Sequence, residues 1–221
     1  MNFSDVLEKR AKEYPDKSAI IFRDAAITFR QLKNVSFQIA SGLARQGLVK
    51  SDKVAIFLPN LPEYIYSFLG IFLLRGISVP LDFMLTEEEV INFINHSESK
   101  ILIAQSKKGV DFKNIQNKCS SLKQIIIFGE SQDIASSPRY FLPWHELLKE
   151  ESLLPKMALS EKDHSSIFYT SGSTGHPKGV LLSYGHLNNP IETLDYFLHP
   201  THDDSFLCAG VPARSIYQCC V

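Results

Sequence analysis

The chain has 221 residues, a formal net charge of −1 and a sequence pI near 6.7. That balance argues against a nucleic-acid partner, which calls for a basic excess or a basic stripe. Hydrophobic residues make up 44% and charged residues 21%, which excludes a disordered or collagen-like chain and leaves enough apolar mass for a sizeable core.

Cysteines stand at 119, 208, 219 and 220 with no Cys-x-x-Cys spacing, so neither a disulfide framework nor a zinc site is expected. The N-terminus, MNFSDVLEKR, is polar where a secretory signal would be apolar. A reducing, cytoplasmic setting is the default, and the sequons at Asn2, Asn34 and Asn95 then carry no meaning. The most apolar run, 64–74, is closed by Glu63 and Arg75. It is far short of the roughly 20 residues a membrane-spanning helix needs, so it predicts a buried core helix.

Helix and strand signals alternate from the start. Ser4 or Asp5 can cap a helix that Pro15 stops near Tyr14. Strands are expected over 18–22 and 27–29, with a turn at Arg23-Asp24. Thr28-Phe29-Arg30-Gln31 has the form of a capping box. Leu32, Val35, Ile39 and Leu43 follow at helical spacing, and Gly47 is a natural stop. A strand over 53–58 precedes the apolar helix of 63–75, and 77–81 reads as the next strand. Thr86-Glu87-Glu88-Glu89 opens a second capped helix with Val90, Phe93 and Ile94 inward. Continuous apolar strands are expected over 100–104 and 124–128, joined by a polar helical segment. Such strands, alternating with helices, predict an α/β fold: βαβ units and a largely parallel sheet covered on both faces.

Residues 129–138 have loop composition and mark a possible subdomain boundary. One or two helical turns are expected within 143–149, and strands over 165–170, 179–183 and 205–211. A helix can begin at Ser183, with Asn188-Asn189-Pro190 expected to disturb its middle. His199-Pro200-Thr201-His202-Asp203-Asp204 reads as a solvated loop rather than a metal site. Tyr64, Tyr66, Phe68 and Phe72 lack interleaved basic residues and predict core packing rather than a base-stacking surface. Lys107-Lys108 and 149–151 read as solvated charge runs.

Chemistry is concentrated in 169–180, Tyr-Thr-Ser-Gly-Ser-Thr-Gly-His-Pro-Lys-Gly-Val. Two strands flank a loop of Gly, Ser, Thr, Pro and Lys. Glycine lets the backbone approach a ligand, and consecutive N–H groups in such a turn converge on an anion. Hydroxyls of Thr170, Ser171, Ser173 and Thr174 add donors, and Lys178 adds a positive charge. Together they suit a polyphosphate. This is not a Walker loop, because Lys178 follows Gly175 by three and precedes a strand, and no Gly-x-Gly-x-x-Gly occurs.

The string Thr-Ser-Gly-Ser-Thr-Gly-x-Pro-Lys-Gly at 170–179 resembles the phosphate loop of the adenylate-forming superfamily: acyl-CoA synthetases, luciferases and the adenylation domains of peptide synthetases. The segments 6–20, 27–29, 52–56 and 79–82 are similar to the family's N-terminal region, and 85–100 to that of fatty-acyl-CoA ligases. The resemblance implies ATP-dependent activation of a carboxylic acid, a fatty acid foremost, to an acyl-adenylate and then a coenzyme A thioester. An aryl or amino acid substrate stays open. It implies ATP, Mg2+ and coenzyme A as co-substrates. It also implies phosphate-holding roles for Thr170, Ser171, Gly172, Ser173, Thr174, Gly175 and Lys178, the last also catalytic through charge neutralisation.

Two departures from the family pattern follow. The family's Gly-Thr-Glu and Thr-Gly-Asp segments and its C-terminal catalytic lysine do not occur here, so the chain is expected to be a truncated N-terminal portion, 1–221, inactive alone and without the C-terminal domain. Ser215 stands where the family carries a histidine beside the acyl and ATP pockets, and Gln218 about where it carries a glycine. A non-catalytic nucleotide- or acyl-binding module is the alternative function.

Overall fold

The computed structural model describes residues 3–130, 139–149, 160–170, 178–201 and 203–208. Helix α1 (Phe3–Glu13) leads into a two-stranded antiparallel hairpin, β1 (Ser18–Phe22) and β2 (Ala25–Thr28). Ser4 and Asp5 thus lie inside the first turn of α1. Then follow α2 (Phe29–Arg45), β3 (Lys53–Phe57), α3 (Pro62–Leu73), β4 (Ile77–Pro80), α4 (Glu87–Ser97), β5 (Ile101–Gln105), α5 (Phe112–Lys118) and β6 (Gln124–Phe128). A short strand β7 (Phe141–Pro143) runs into a 3-10 turn (Trp144–Leu148), and β8 (His164–Thr170), β9 (Lys178–Ser183) and α6 (Tyr184–Leu198) complete the described elements.

Both capping boxes form. Thr28 accepts from the Gln31 amide while the Gln31 side chain accepts from the Thr28 amide. Thr86 and Glu89 repeat the exchange at the start of α4. Each box satisfies amides that the first turn of a helix leaves without an intrahelical partner.

Seven strands form one sheet in the order β7-β6-β5-β3-β4-β8-β9, parallel throughout except for the antiparallel last pair. The faces covered by the helices follow from handedness. A β-helix-β crossover is right-handed, so a connection moving outward from β3 to β4 and one moving back from β4 to β5 place their helices on opposite faces. Accordingly α3 packs with α1, α2, the 3-10 turn and the start of α6 against Val54, Ile56, Ile101, Ile103 and Ile126. On the other face α4 and α5 pack against Ala55, Phe57, Leu102, Ala104, Ile125 and Ile127. Alternate residues of β3, β5 and β6 are thus buried on opposite sides, which is why those strands read as unbroken apolar runs. Tyr64, Tyr66, Phe68 and Phe72 are buried in the first of these layers, with the Phe68 and Phe72 rings 4.2 Å apart.

Three expectations change. Strand β7 carries no signal of its own; it exists because its neighbour β6 offers a free edge, with Phe141, Leu142 and Pro143 paired to Ile125, Ile126 and Ile127. Helix α6 runs through Pro190 without a break. A proline removes one helical hydrogen bond, a cost of about 3 kcal/mol, and burial of Tyr184 and Leu187 in the first turn offsets part of it. Residues 205–208 form no strand, and Phe206 and Leu207 are exposed. A strand is held by its ladder, and no described strand pairs with this one. The rest of that expected strand, with Ser215 and Gln218, lies outside the described residues, as do 131–138 of the expected loop boundary.

Candidate functional site

Strands β8 and β9 form a hairpin whose register ends on the pair Thr170↔Lys178. These two predicted site residues therefore face each other across the mouth of the loop. Ser171, Gly172, Ser173, Thr174 and Gly175 lie outside the described residues. Because β8 runs parallel to β4 through Ser78↔Ser166, the pair Thr170↔Lys178 lies at the same edge as the carboxyl ends of β3, β4 and β5. Lys178 is exposed there. The strand order reverses at β3, between α3 on one face and α4 on the other, and open α/β sheets bind ligands outside the carboxyl ends of their strands beside such a reversal.

Both stems of the loop are held firmly. On β8, the Tyr169 ring packs against Phe93 of α4 with centroids 4.4 Å apart, and its Oη lies 2.8 Å from His96 Nδ1. Its cross-strand partner is Gly179, where a Cβ would lie 3.0 Å from Ile167 Cγ2 and 3.3 Å from the Tyr169 ring. Burial pushes the Tyr169 phenol up to about 12, so it stays protonated at neutral pH and keeps its donor. Further along β8, the buried Ser78 and Ser166 hydroxyls are 2.8 Å apart, and Ser78 Oγ also donates to the Ser165 carbonyl. Ser165 Oγ in turn donates to Leu182 of β9.

The base of the hairpin is fixed on the opposite face. Asp163, just before β8, takes a 3.0 Å hydrogen bond from Lys50 and another from the Ser160 amide, which lower its pKa, the Ser160 bond most. Tyr184, just after β9, is buried, donates to the Phe72 carbonyl and packs edge-on against the Phe72 ring. Arg75, itself buried, lies over the Tyr184 ring.

The carboxyl edge holds a feature that the sequence disguised. Lys107, read as part of a solvated pair, instead donates to the carbonyls of Phe83 and Leu85 and lies over the rings of Phe57 and Phe83. It ties the segment after β4 to the end of β5. Its neighbour Lys108 is exposed, as expected. The available signal was its place two residues beyond a buried strand, where a long cationic side chain can fold back over apolar surface. In the His-Pro-Thr-His-Asp-Asp segment, Asp204 caps Thr201 and Asp203 pairs with Lys17.

The sequence profile of AMP-binding enzymes matches residues 7–221. The chain belongs to the AMP-binding enzyme family. Among curated members, 4-hydroxybutyrate–CoA ligase 2 of Metallosphaera sedula is 31% identical over 199 residues, covering 86% of this chain and 36% of that one. The 4-coumarate–CoA ligase 1 of Petroselinum crispum is 32% identical over 178 residues, covering 76% and 30%. This AMP-binding chain thus spans about a third of the length of these relatives. Its fold is that of a putatively named long-chain-fatty-acid–CoA ligase from Rhodopseudomonas palustris, with a TM-score of 0.79 at 22% identity over 92% of this chain and 50% of that one. The anthranilate–CoA ligase AuaEII, solved with anthranoyl-AMP, gives 0.77 at 24% identity over 87% and 36%. The largely parallel α/β architecture expected of the adenylate-forming fold is therefore present. No helix among the described residues is long and apolar enough to cross a membrane.

Proposed function

We propose that this chain supplies the N-terminal, ATP phosphate-binding part of a carboxylic acid–CoA ligase. The observation that carries the reading is the placement of the hairpin tip: Thr170 and the exposed Lys178 face each other at the carboxyl edge of a parallel sheet, with the Ser-Gly-Ser-Thr-Gly run between them in sequence. In the proposed site, amides and hydroxyls from Thr170 to Gly175 receive the β- and γ-phosphates of MgATP. Lys178 neutralises charge that builds on the departing pyrophosphate as the substrate carboxylate attacks the α-phosphorus. Such catalysis is positioning and electrostatic stabilisation, and its donors are in place before the charge develops. The acyl-adenylate then passes its acyl group to the thiol of coenzyme A. A fatty acid is the proposed substrate, on the similarity of residues 79–100 to fatty-acyl-CoA ligases.

The 221 residues carry the phosphate segment and no Gly-Thr-Glu or Thr-Gly-Asp segment. Residues 1–221 are therefore proposed to be the N-terminal portion of the AMP-binding domain, binding nucleotide alone without turning it over. MgATP titration of the purified chain tests the site. Lys178→Ala removes a charged hydrogen bond, about 1.5–3 kcal/mol or roughly ten- to a hundredfold in affinity. Gly172→Val is expected to block close approach of the phosphates. Equal affinity in all three proteins refutes the phosphate role. Acid-dependent pyrophosphate exchange by the chain alone refutes the expectation of inactivity.

A further inference from the structure

We propose that Tyr169 is a positioning residue for the nucleotide loop, and that His96 of α4 is the partner that orients it. The inference rests on the phosphate role proposed for the adjoining loop, since Tyr169 directly precedes Thr170 and stands opposite Gly179, next to Lys178. Its side chain meets the Phe93 ring at 4.4 Å and lies beside Gly179, and its Oη is 2.8 Å from His96 Nδ1 and also donates to the Phe93 carbonyl at 3.4 Å. His96 also meets the ring edge-on, with centroids 5.5 Å apart.

The geometry goes beyond ordinary packing. A phenylalanine at 169 would keep the stack on Phe93 and the place beside Gly179. The hydroxyl adds direction: a hydrogen bond is angle-dependent where a ring stack can slide. It ties the end of β8 to α4, the helix that packs on the same face of the sheet. Gly179 adds a second constraint, because a Cβ there would crowd Ile167 Cγ2 at 3.0 Å and the Tyr169 ring at 3.3 Å. One side chain on β8, directly opposite Gly179 of β9, therefore ties to α4 the strand that delivers Thr170. A phosphate cradle of main-chain donors depends on such placement, because a small shift of the stem misaims every amide that follows.

The test uses the full chain, titrated with MgATP, with urea unfolding measured in parallel. Tyr169→Phe and His96→Ala are each expected to weaken MgATP affinity about fivefold, the scale of one neutral hydrogen bond. The double variant is expected to match Tyr169→Phe alone, because that change already removes the bond that His96 makes. His96→Gln, which keeps a group able to bond the phenol, restores most of the affinity. A purely structural role lowers the urea midpoint of Tyr169→Phe and leaves its affinity at the wild-type value; that result overturns the proposal. If Lys178→Ala weakens binding while Tyr169→Phe and His96→Ala do not, the phosphate site stands and the positioning role falls. If the folded wild-type chain binds no MgATP, the phosphate site fails and the positioning role with it.

Discussion

At the scale of single residues, Gly42 shows how a small side chain sets the distance between elements. A Cβ there would lie 2.6 Å from both the Cα and the carbonyl oxygen of Leu147, in the 3-10 turn. Those are backbone atoms and cannot swing aside. Gly42→Ala gains about 1 kcal/mol of helix propensity and incurs an overpacking cost of about 1–3 kcal/mol. The cost is expected to win, lowering the urea midpoint; a midpoint equal to or above wild type would show that the 3-10 turn shifts freely. Nothing in the sequence marks Gly42 as a contact, since its neighbour lies 105 positions away. Separation along the chain also hid the partners of Tyr169, 73 positions from His96, and of Lys107, 24 from Phe83. By contrast, the loop motif of 170–179 was legible because its chemistry is local: consecutive small, hydroxylated and glycine residues ending on a cation. Residue type alone identified the proposed phosphate segment, while the side chains that hold its stems became visible through the fold.

Elements show the same division between local and distant causes. Helix α4 begins with an exchange contained in four residues, so its start was readable. The Thr86 amide and hydroxyl both donate to Glu89, at 2.8 Å each. These bonds lower the Glu89 pKa, the backbone bond most. Thr86→Ala is expected to cost about 1 kcal/mol. A depressed folded pKa stabilises the protein above the unfolded value, near 4.3, and that contribution is lost as pH falls through the folded one. The destabilisation by Thr86→Ala should therefore be full at pH 6 and shrink toward pH 3, as measured by urea midpoints; a gap that is constant with pH would remove Glu89 from the account. Elements defined by a partner were less readable. Strand β7 is three residues long and ends on proline, and its ladder to β6 makes it a strand. Residues 205–208 have strand composition and lack that ladder, and they form none.

Across the whole molecule, burial is graded from one side of the sheet to the other. Strands β3, β5 and β6 are enclosed by helices on both faces, with Ile56, Leu102, Ile103 and Ile126 wholly inaccessible. At the far side, the first four residues of β9 are exposed, and among the described residues β9 pairs with β8 alone. β8 joins β4 through the single register pair Ser78↔Ser166. The hairpin therefore depends on a few discrete ties: the serine contact, the Tyr169 anchor, the Lys50–Asp163 pair and buried Tyr184. Segments with little apolar burial open below the global unfolding free energy, and ligand-binding loops are drawn from that end of the range. Native-state amide exchange is expected to show β8 and β9 opening as a unit at lower free energy than β5. Lys50→Ala should change this little, since exposed ion pairs contribute about 0–1 kcal/mol. Tyr184→Phe removes a hydrogen bond from a buried site, but the Phe72 carbonyl it leaves also accepts from the Arg75 amide and is not orphaned. The expected cost is then about 1 kcal/mol. It should appear as roughly fivefold faster exchange confined to β8, β9 and the start of α6. Protection in β9 equal to that in β5 would mean that the sheet unfolds as one cooperative block and that the loop rides on a rigid platform.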